Sequence, residues 1–127
     1  MKIARLLGSN METYGFVNGD SIITKEEITQ QTGIPIPQNI KDFLFDGWYD
    51  EIKHKMLKLN YPQKISSFKI LAPIPNPSKI ICLVFNYKDH ATEQNLIPPD
   101  EPVIIIKPKT ALIGPTSDKV CPSFVAK

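Results

Sequence analysis

The sequence predicts an α+β protein, because strand patterns open the chain, helical spacing follows and prolines crowd the remainder. Lys2 to Leu7, Tyr14 to Val17 and Ser21 to Thr24 have the length and composition of short strands. Asn18-Gly19-Asp20 between the last two predicts a tight hairpin turn. Ten of the 12 prolines lie from Pro62 onward. Because proline breaks helices and cannot donate to a strand ladder, that part should consist of short strands and loops.

The helical part begins at a recognisable cap. Thr24 before a charged run, with Glu27 three residues on, predicts a helix N-cap closed by a capping box. Apolar residues at helical spacing predict further helices over Ile40 to Phe45 and Glu51 to Leu59. We therefore expect an N-terminal domain over residues 1–65 and a second domain over residues 66–127.

Composition excludes several classes of protein. Hydrophobic residues make up 42% and charged residues 22%, so the chain is neither disordered nor membrane-spanning. A net charge of +2, spread along the chain, does not indicate a nucleic-acid partner. The start lacks the apolar segment of a signal peptide. With only two cysteines, Cys82 in an apolar run and Cys121 in a loop or strand start, we expect a reducing, cytoplasmic location and no zinc site.

The most informative stretch runs from Lys79 to Glu93. Ile80 to Phe85 is an apolar run of strand length, and it predicts a buried strand. The polar segment that follows can form one or two helical turns, which would place His90 and Glu93 on one face. A carboxylate beside an imidazole orients it and stabilises its protonated form, which suits a general base. The alternative is an exposed ion pair on a solvated turn.

Lys107 is the second candidate. It follows the predicted strand Val103 to Ile106 and its backbone is restricted by Pro108. A lysine at the end of a buried strand can meet a substrate carboxylate or a developing enolate. The alternative is a lysine whose stem lies along the sheet while its ammonium reaches water.

A third pattern, Glu51-Ile52-Lys53-His54, has the Glu-x-x-His spacing of carboxylate-bridged metal sites. Such sites need a second copy, and the chain has none, so a solvated helix face is the better interpretation. We interpret Trp48 and Tyr49 as core or domain-contact residues rather than ligand binders.

Four blocks together resemble the fumarylacetoacetate hydrolase family. Residues 79–93, Lys-Ile-Ile-Cys-Leu-Val-Phe-Asn-Tyr-Lys-Asp-His-Ala-Thr-Glu, are similar to a motif of that family, and Glu101 to Pro115 resembles its next block. Met1 to Ile23 resembles the family's N-terminal hairpin, and Leu71 to Pro75 resembles its Leu-Ala-Pro-x-Pro lead-in. The resemblance covers most of the chain and is weakest from Thr24 to Phe68.

Two positions depart from the family's pattern. Val84 replaces a usual glycine, so the backbone there can run differently. Lys88 replaces a usual arginine, which keeps the charge but loses the bidentate fork.

The resemblance implies a small N-terminal α/β domain followed by the beginning of a mixed β-roll catalytic domain. It implies a divalent cation, Mg²⁺ or else Mn²⁺ or Ca²⁺, and a 2-keto acid substrate such as an acylpyruvate or hydroxydienedioate. The reaction would be C–C hydrolysis, keto–enol isomerisation or decarboxylation through a metal-bound enolate. His90 with Glu93 would activate water or move a proton, and Lys107 would stabilise the oxyanion or bind the carboxylate. The implied substrate-binding residues are Asn86, Tyr87 and Lys88.

The family's metal ligands, a Glu-x-Glu pair and an Asp, would lie beyond Lys127, and Asp118 is a lone acid near the end. We therefore expect a truncated chain that is inactive alone. Its partner would be a second copy of itself, commonly as a dimer, or a chain that supplies the rest of the β-roll, with no nucleic acid or membrane. The alternative is a non-catalytic binding or oligomerisation module derived from the family.

Overall fold

A computed structural model describes residues 2–84, 87, 89, 93, 97 and 99–120. Contacts divide the chain into two units. The first contains the described residues of Met1–Pro75 and Ile113–Lys127, and the second those of Asn76–Leu112. This division differs from the boundary predicted between residues 65 and 66, which stays a prediction.

The first unit is built on a five-stranded antiparallel sheet in the order β4-β3-β2-β1-β5. Its strands are β1 (Lys2–Leu7), β2 (Glu12–Asn18), β3 (Ser21–Thr24), β4 (Gln63–Lys64) and β5 (Lys69–Ile70). The predicted hairpin is confirmed, since Asn18 pairs with Ser21 across a two-residue turn. Gly19 has φ +59°, a left-handed conformation that glycine adopts without steric cost.

Three helices lie between β3 and β4 along the chain: α1 (Lys25–Thr32), α2 (Ile40–Phe45) and α3 (Trp48–Met56). The predicted capping box of α1 is present, because the backbone N–H of Thr24 donates to the Glu27 carboxylate at 2.8 Å while the N–H of Glu27 donates to the Thr24 hydroxyl at 3.4 Å. None of the helices in the described ranges is both long and apolar enough to cross a membrane.

An aromatic cluster forms the centre of the first unit's core. Tyr14 and Phe16 lie two residues apart on β2 and therefore share one face of the sheet. Their rings meet Phe43 of α2 with centroid separations of 5.7 and 5.2 Å. The Tyr14 hydroxyl donates to the Pro37 carbonyl at 2.8 Å, which satisfies its polar end and holds the segment before α2. The other buried members are Ile23, Ile28, Ile36, Ile40, Ile52 and Met56.

Gly15 lies between those aromatic residues at a place where the sheet leaves no room for a side chain. A Cβ at this position would be 2.6 Å from the carbonyl oxygen of Ile23 on the neighbouring strand. Because that oxygen belongs to backbone, it cannot turn away. The glycine therefore allows β2 and β3 to approach closely under the core.

The second unit contains an antiparallel strand pair, β6 (Ile80–Val84) and β7 (Val103–Lys107), followed by a 3₁₀ turn at Lys109–Ala111. The predicted strands are confirmed, but the prediction that the apolar run is buried is wrong for its described residues. Ile81 is 61% exposed, and Ile104 and Ile106 on β7 are 60% and 68% exposed. Only these two strands make up the sheet in the described ranges, so the pair has no neighbouring strand there.

Candidate active site

The structure describes three of the six residues predicted for the site. Asn86, Lys88 and His90 lie outside the described residues, so their predicted roles stay predictions. Tyr87 is 77% exposed. Glu93 is exposed on helical backbone, and Lys107 is the exposed last residue of β7.

The register of the strand pair places Lys107 away from the polar segment. Val84 pairs with Val103 at the end where residues 85–102 leave the sheet, whereas Ile80 pairs with Lys107 at the opposite end. At about 3.4 Å a residue, the two ends are roughly 14 Å apart. No ion pair joins Glu93 and Lys107 among the described side chains.

The two faces of β6 differ in exposure, whereas β7 is exposed on both of its faces. Residues directly opposite each other share a face, so Lys107 lies on the same face as Ile80 and Cys82. Ile80 and Cys82 are half-buried, whereas Ile81 and Leu83 on the other face are exposed. Cys82 is a free thiol and is less buried than the sequence predicts.

A lysine that the sequence analysis missed lies two residues after Lys107. The Lys109 ammonium donates to the side-chain oxygen of Asn76 at 3.3 Å. Asn76 has φ +48°, a left-handed conformation that asparagine tolerates. The Pro-Asn-Pro sequence around Asn76 was the signal available for such a turn. The contact ties the start of the second unit to the 3₁₀ turn that follows Lys107.

In the first unit, Arg5 holds the Leu-Ala-Pro lead-in. The backbone N–H of Leu71 donates to the Arg5 carbonyl at 2.9 Å, and the Arg5 guanidinium donates to the Ala72 carbonyl at 2.8 Å. The same guanidinium donates to both carboxylate oxygens of Glu12, at 2.5 and 2.8 Å. This bidentate pair fixes the fork of Arg5, so that its remaining donor points at the lead-in.

Gly114, which belongs to the block from Glu101 to Pro115, lies against the start of the same lead-in segment. A Cβ on Gly114 would lie 3.1 Å from the Ile70 carbonyl oxygen and 3.5 Å from the Ala72 nitrogen. The Ile-Gly-Pro stretch therefore packs closely on the backbone at the start of the lead-in. Neither this contact nor the Arg5 contact has a local sequence pattern that could predict it.

Acid should weaken the contact between Arg5 and Glu12. The hydrogen bond from Arg5 lowers the pKa of Glu12 below its ordinary value. A carboxyl group whose pKa is lower in the folded than in the unfolded protein stabilises the fold. This stabilisation is fully present above the group's ordinary pKa of 4.5, and it is lost as the pH falls through the pKa of the folded state. We expect Glu12→Gln to lower the free energy of unfolding by roughly 0.5–1 kcal/mol at pH 7. The effect is small because the ion pair is partly exposed. It should shrink progressively below pH ~4.5.

Urea unfolding followed by the fluorescence of Trp48, which packs against the core, measures this difference across pH. Glu101→Gln is the matched control, since Glu101 is exposed and forms no ion pair with another described residue. A Glu12→Gln deficit that stays constant from pH 7 to pH 3 would contradict the assignment.

The described residues do not fit a divalent cation on their own. Metal sites of this kind take several carboxylate, imidazole or carbonyl ligands around one ion. No three His, Cys, Asp or Glu side chains converge anywhere in the described ranges. Glu51 and His54 accordingly belong to no such group there, although Asp50 lies beside them and interacts electrostatically with His54. A cation would need ligands from outside this set.

Parts of the chain are similar in sequence to known proteins. No protein-family model matches it. It is 49% identical over 51 residues to the mitochondrial oxaloacetate tautomerase fahd2 of Xenopus laevis, covering 40% of this chain and 16% of that protein. It is 40% identical over 57 residues to fumarylacetoacetate hydrolase domain-containing protein 2 of Pongo abelii, covering 45% of this chain and 18% of that protein. The matched segments thus span less than a fifth of these relatives.

A solved structure extends the likeness to nearly the whole chain. A Mycobacterium smegmatis protein provisionally assigned as HpcE matches with a TM-score of 0.69 at 23% identity, covering 96% of this chain and 41% of that one. At this identity the match concerns the fold, and it confirms the predicted α+β class. The named relatives confirm the resemblance that the sequence blocks indicated, because the segments that they match are similar to proteins of the fumarylacetoacetate hydrolase family.

Proposed function

We propose that this chain forms part of an enzyme that interconverts the keto and enol forms of a 2-keto acid, with oxaloacetate as the first substrate to test. The observation that carries the proposal is the 49% identity over 51 residues with a protein named as an oxaloacetate tautomerase. C–C hydrolysis and decarboxylation of related 2-keto acids pass through the same kind of enolate, so they are the neighbouring possibilities.

Tautomerisation needs a group that moves a proton and a group that stabilises negative charge. A base removes a proton from C3, the C–H electron pair forms the C2–C3 double bond, and the carbonyl electrons move onto the C2 oxygen. That oxygen is then protonated to give the enol. His90, oriented by Glu93, is our proposed proton carrier, and Tyr87 with Asn86 and Lys88 would contact the substrate.

Lys107 is the proposed charge-stabilising residue. Its ammonium would donate to the enolate oxygen, on which negative charge develops during the reaction, or to the neighbouring substrate carboxylate, which is already negatively charged. Its backbone is held by the β7 ladder on one side and by Pro108 and the 3₁₀ turn on the other. This restriction fixes the backbone position from which the flexible lysine side chain would reach the substrate.

Mg²⁺, or else Mn²⁺ or Ca²⁺, is the proposed cofactor and would act as a Lewis acid beside the enolate. Because no three candidate ligands converge in the described ranges, its ligands would come from other residues of the complete enzyme. We propose a homo-oligomer, or a further chain that completes the β-roll. A cytoplasmic location remains a proposal, and the Xenopus relative is named as mitochondrial.

A non-catalytic binding or oligomerisation module is the second candidate. Two observations favour it: Lys107 lies at the end of the strand pair opposite to the polar segment, and one face of that pair is aliphatic and exposed. Such a face suits contact with another protein surface.

Enol-oxaloacetate distinguishes the two candidates. The natural protein that carries these residues should accelerate ketonisation, measured as loss of the enol's ultraviolet absorbance, and EDTA should abolish the acceleration until Mg²⁺ is restored. The 127-residue chain alone should give the uncatalysed rate. Acceleration by this chain alone would contradict the need for further ligands. No acceleration by the natural protein with Mg²⁺, Mn²⁺ or Ca²⁺ would favour the non-catalytic module.

A further inference from the structure

The first unit contains a cavity that the proposed reaction does not use. It has a volume of about 450 Å³ and lies between the end of β2, helix α3 and the segment that follows α3. None of the residues predicted for catalysis lines it. Its volume is in the range of small-molecule sites in proteins.

The cavity combines an apolar floor with aromatic walls. Met56 is buried, and Val17 and Leu59 are partly buried beside it. Tyr49 and Tyr61 supply two rings. A tyrosine hydroxyl is neutral at physiological pH, and burial raises the pKa of Tyr61 further, so this group remains a neutral donor. Such a surface favours a flat, apolar ligand body, because rings stack on rings and methyl groups fill the remaining space.

Several polar groups in the cavity are available to a ligand. The side chains of Asn18, Tyr49, His54 and Tyr61 make no hydrogen bond to any described residue. Three of them, Asn18, Tyr49 and His54, belong to exposed residues and are open to water in the free protein. A ligand would replace that water and would pair with these groups without breaking a contact between described residues.

The charge of the lining is basic. Lys53 and His54 line the cavity, and no Asp or Glu does in the described ranges. Lys53 donates to Asp50 at 2.7 Å, but both side chains are substantially exposed, so the pair is weak and can exchange for another anion. The end of α3 cannot attract an anion through its dipole, because a helix C-terminus is negative, so the Lys53 ammonium must do so.

We propose that this cavity binds a small organic carboxylate with a flat, apolar body. The carboxylate would lie against Lys53 and His54, with Asn18 or a tyrosine hydroxyl donating to it. The body would lie between the rings of Tyr49 and Tyr61 over Met56. Binding needs both the carboxylate and the apolar body of the ligand, because neither an exposed cation nor apolar rings alone make a specific site.

Cinnamate, cinnamyl alcohol and acetate test the two parts separately in amide NMR titrations of the whole chain. Cinnamate has the body and the charge, the alcohol has only the body, and acetate has only the charge. We expect cinnamate to shift the resonances of residues 17–18, 49–57 and 61 with a Kd of roughly 1 mM or tighter. The alcohol and acetate should bind at least about tenfold more weakly.

Lys53→Met and Lys55→Met form a matched pair on one helix, because Lys55 is exposed and does not line the cavity. We expect Lys53→Met to weaken cinnamate binding about tenfold and Lys55→Met to leave it within about twofold. Tyr61→Phe, which removes only the hydroxyl, should weaken it by a smaller factor while the spectrum stays that of the folded protein. Equal affinity for cinnamate and its alcohol, equal affinity of the two lysine variants, or shifts confined to other residues would overturn the proposal.

Discussion

Replacing Lys107 by Met in the natural protein is expected to lower kcat for ketonisation of enol-oxaloacetate by roughly 10²–10³-fold. Met retains most of the length of the aliphatic stem and removes the charged amine. If the ammonium stabilises the enolate more than it stabilises the bound keto acid, the loss falls on kcat rather than on KM. Steady-state kinetics at saturating Mg²⁺ measure the two constants. The substitution should leave the fold intact, because Lys107 is exposed at a strand end.

Lys79→Met is the matched control for this result. Lys79 is exposed and lies one residue before Ile80, the residue that pairs with Lys107. Removing this neighbouring charge should change kcat by less than about twofold. A larger loss in Lys79→Met would show that any nearby positive charge supports the reaction, whichever lysine carries it. Equal losses in the two variants, or a Lys107→Met enzyme with normal kcat, would remove Lys107 from the mechanism.

Phe43→Ala is expected to destabilise the first unit by about 3–5 kcal/mol. Phe43 is fully buried and its ring meets both Tyr14 and Phe16, so the substitution opens a cavity in the centre of the core. Since small domains are stable by only about 5–15 kcal/mol, much of the folding free energy would be lost. Urea unfolding followed by Trp48 fluorescence, at constant pH and temperature, gives the change in the free energy of unfolding.

Phe45→Ala provides the comparison on the same helix. Phe45 is 85% exposed, and the same change of residue there alters helix propensity without opening a cavity. We expect its effect to lie within about 0.5 kcal/mol. If the two variants differ by less than about 1.5 kcal/mol, the core does not centre on Phe43 as the structure indicates.

Local features were predictable from the sequence because their causes are local. The capping box at Thr24, the turn at Gly19 and the bounds of α2 depend on residues a few positions apart, and the structure has them where the pattern predicts. Helix α3 begins at Trp48 rather than Glu51 and ends at Met56 rather than Leu59. Gly47, with φ +75°, sets its start, and we missed that signal.

Features that join distant residues could not be predicted. Arg5 and Ala72 are separated by 67 positions, and nothing near either residue indicates their hydrogen bond. The position of Lys107 at a strand end followed from the pattern, but its pairing with Ile80 followed only from the register. The apolar composition of β6 and β7 predicts the strands, yet burial depends on which layers surround them, and composition does not specify those layers.

The order of the core residues along the chain has a consequence for biosynthesis. Every member of the buried cluster lies between Tyr14 and Met56, so that cluster contains no described residue from the second unit. Because proteins are made from the N-terminus, this segment leaves the ribosome first, and it can close its core while the strands that begin at Ile80 are still inside the ribosome. The strands that emerge later carry open aliphatic faces into the cytosol or organelle, and they are the part of the nascent chain that chaperones would have to protect.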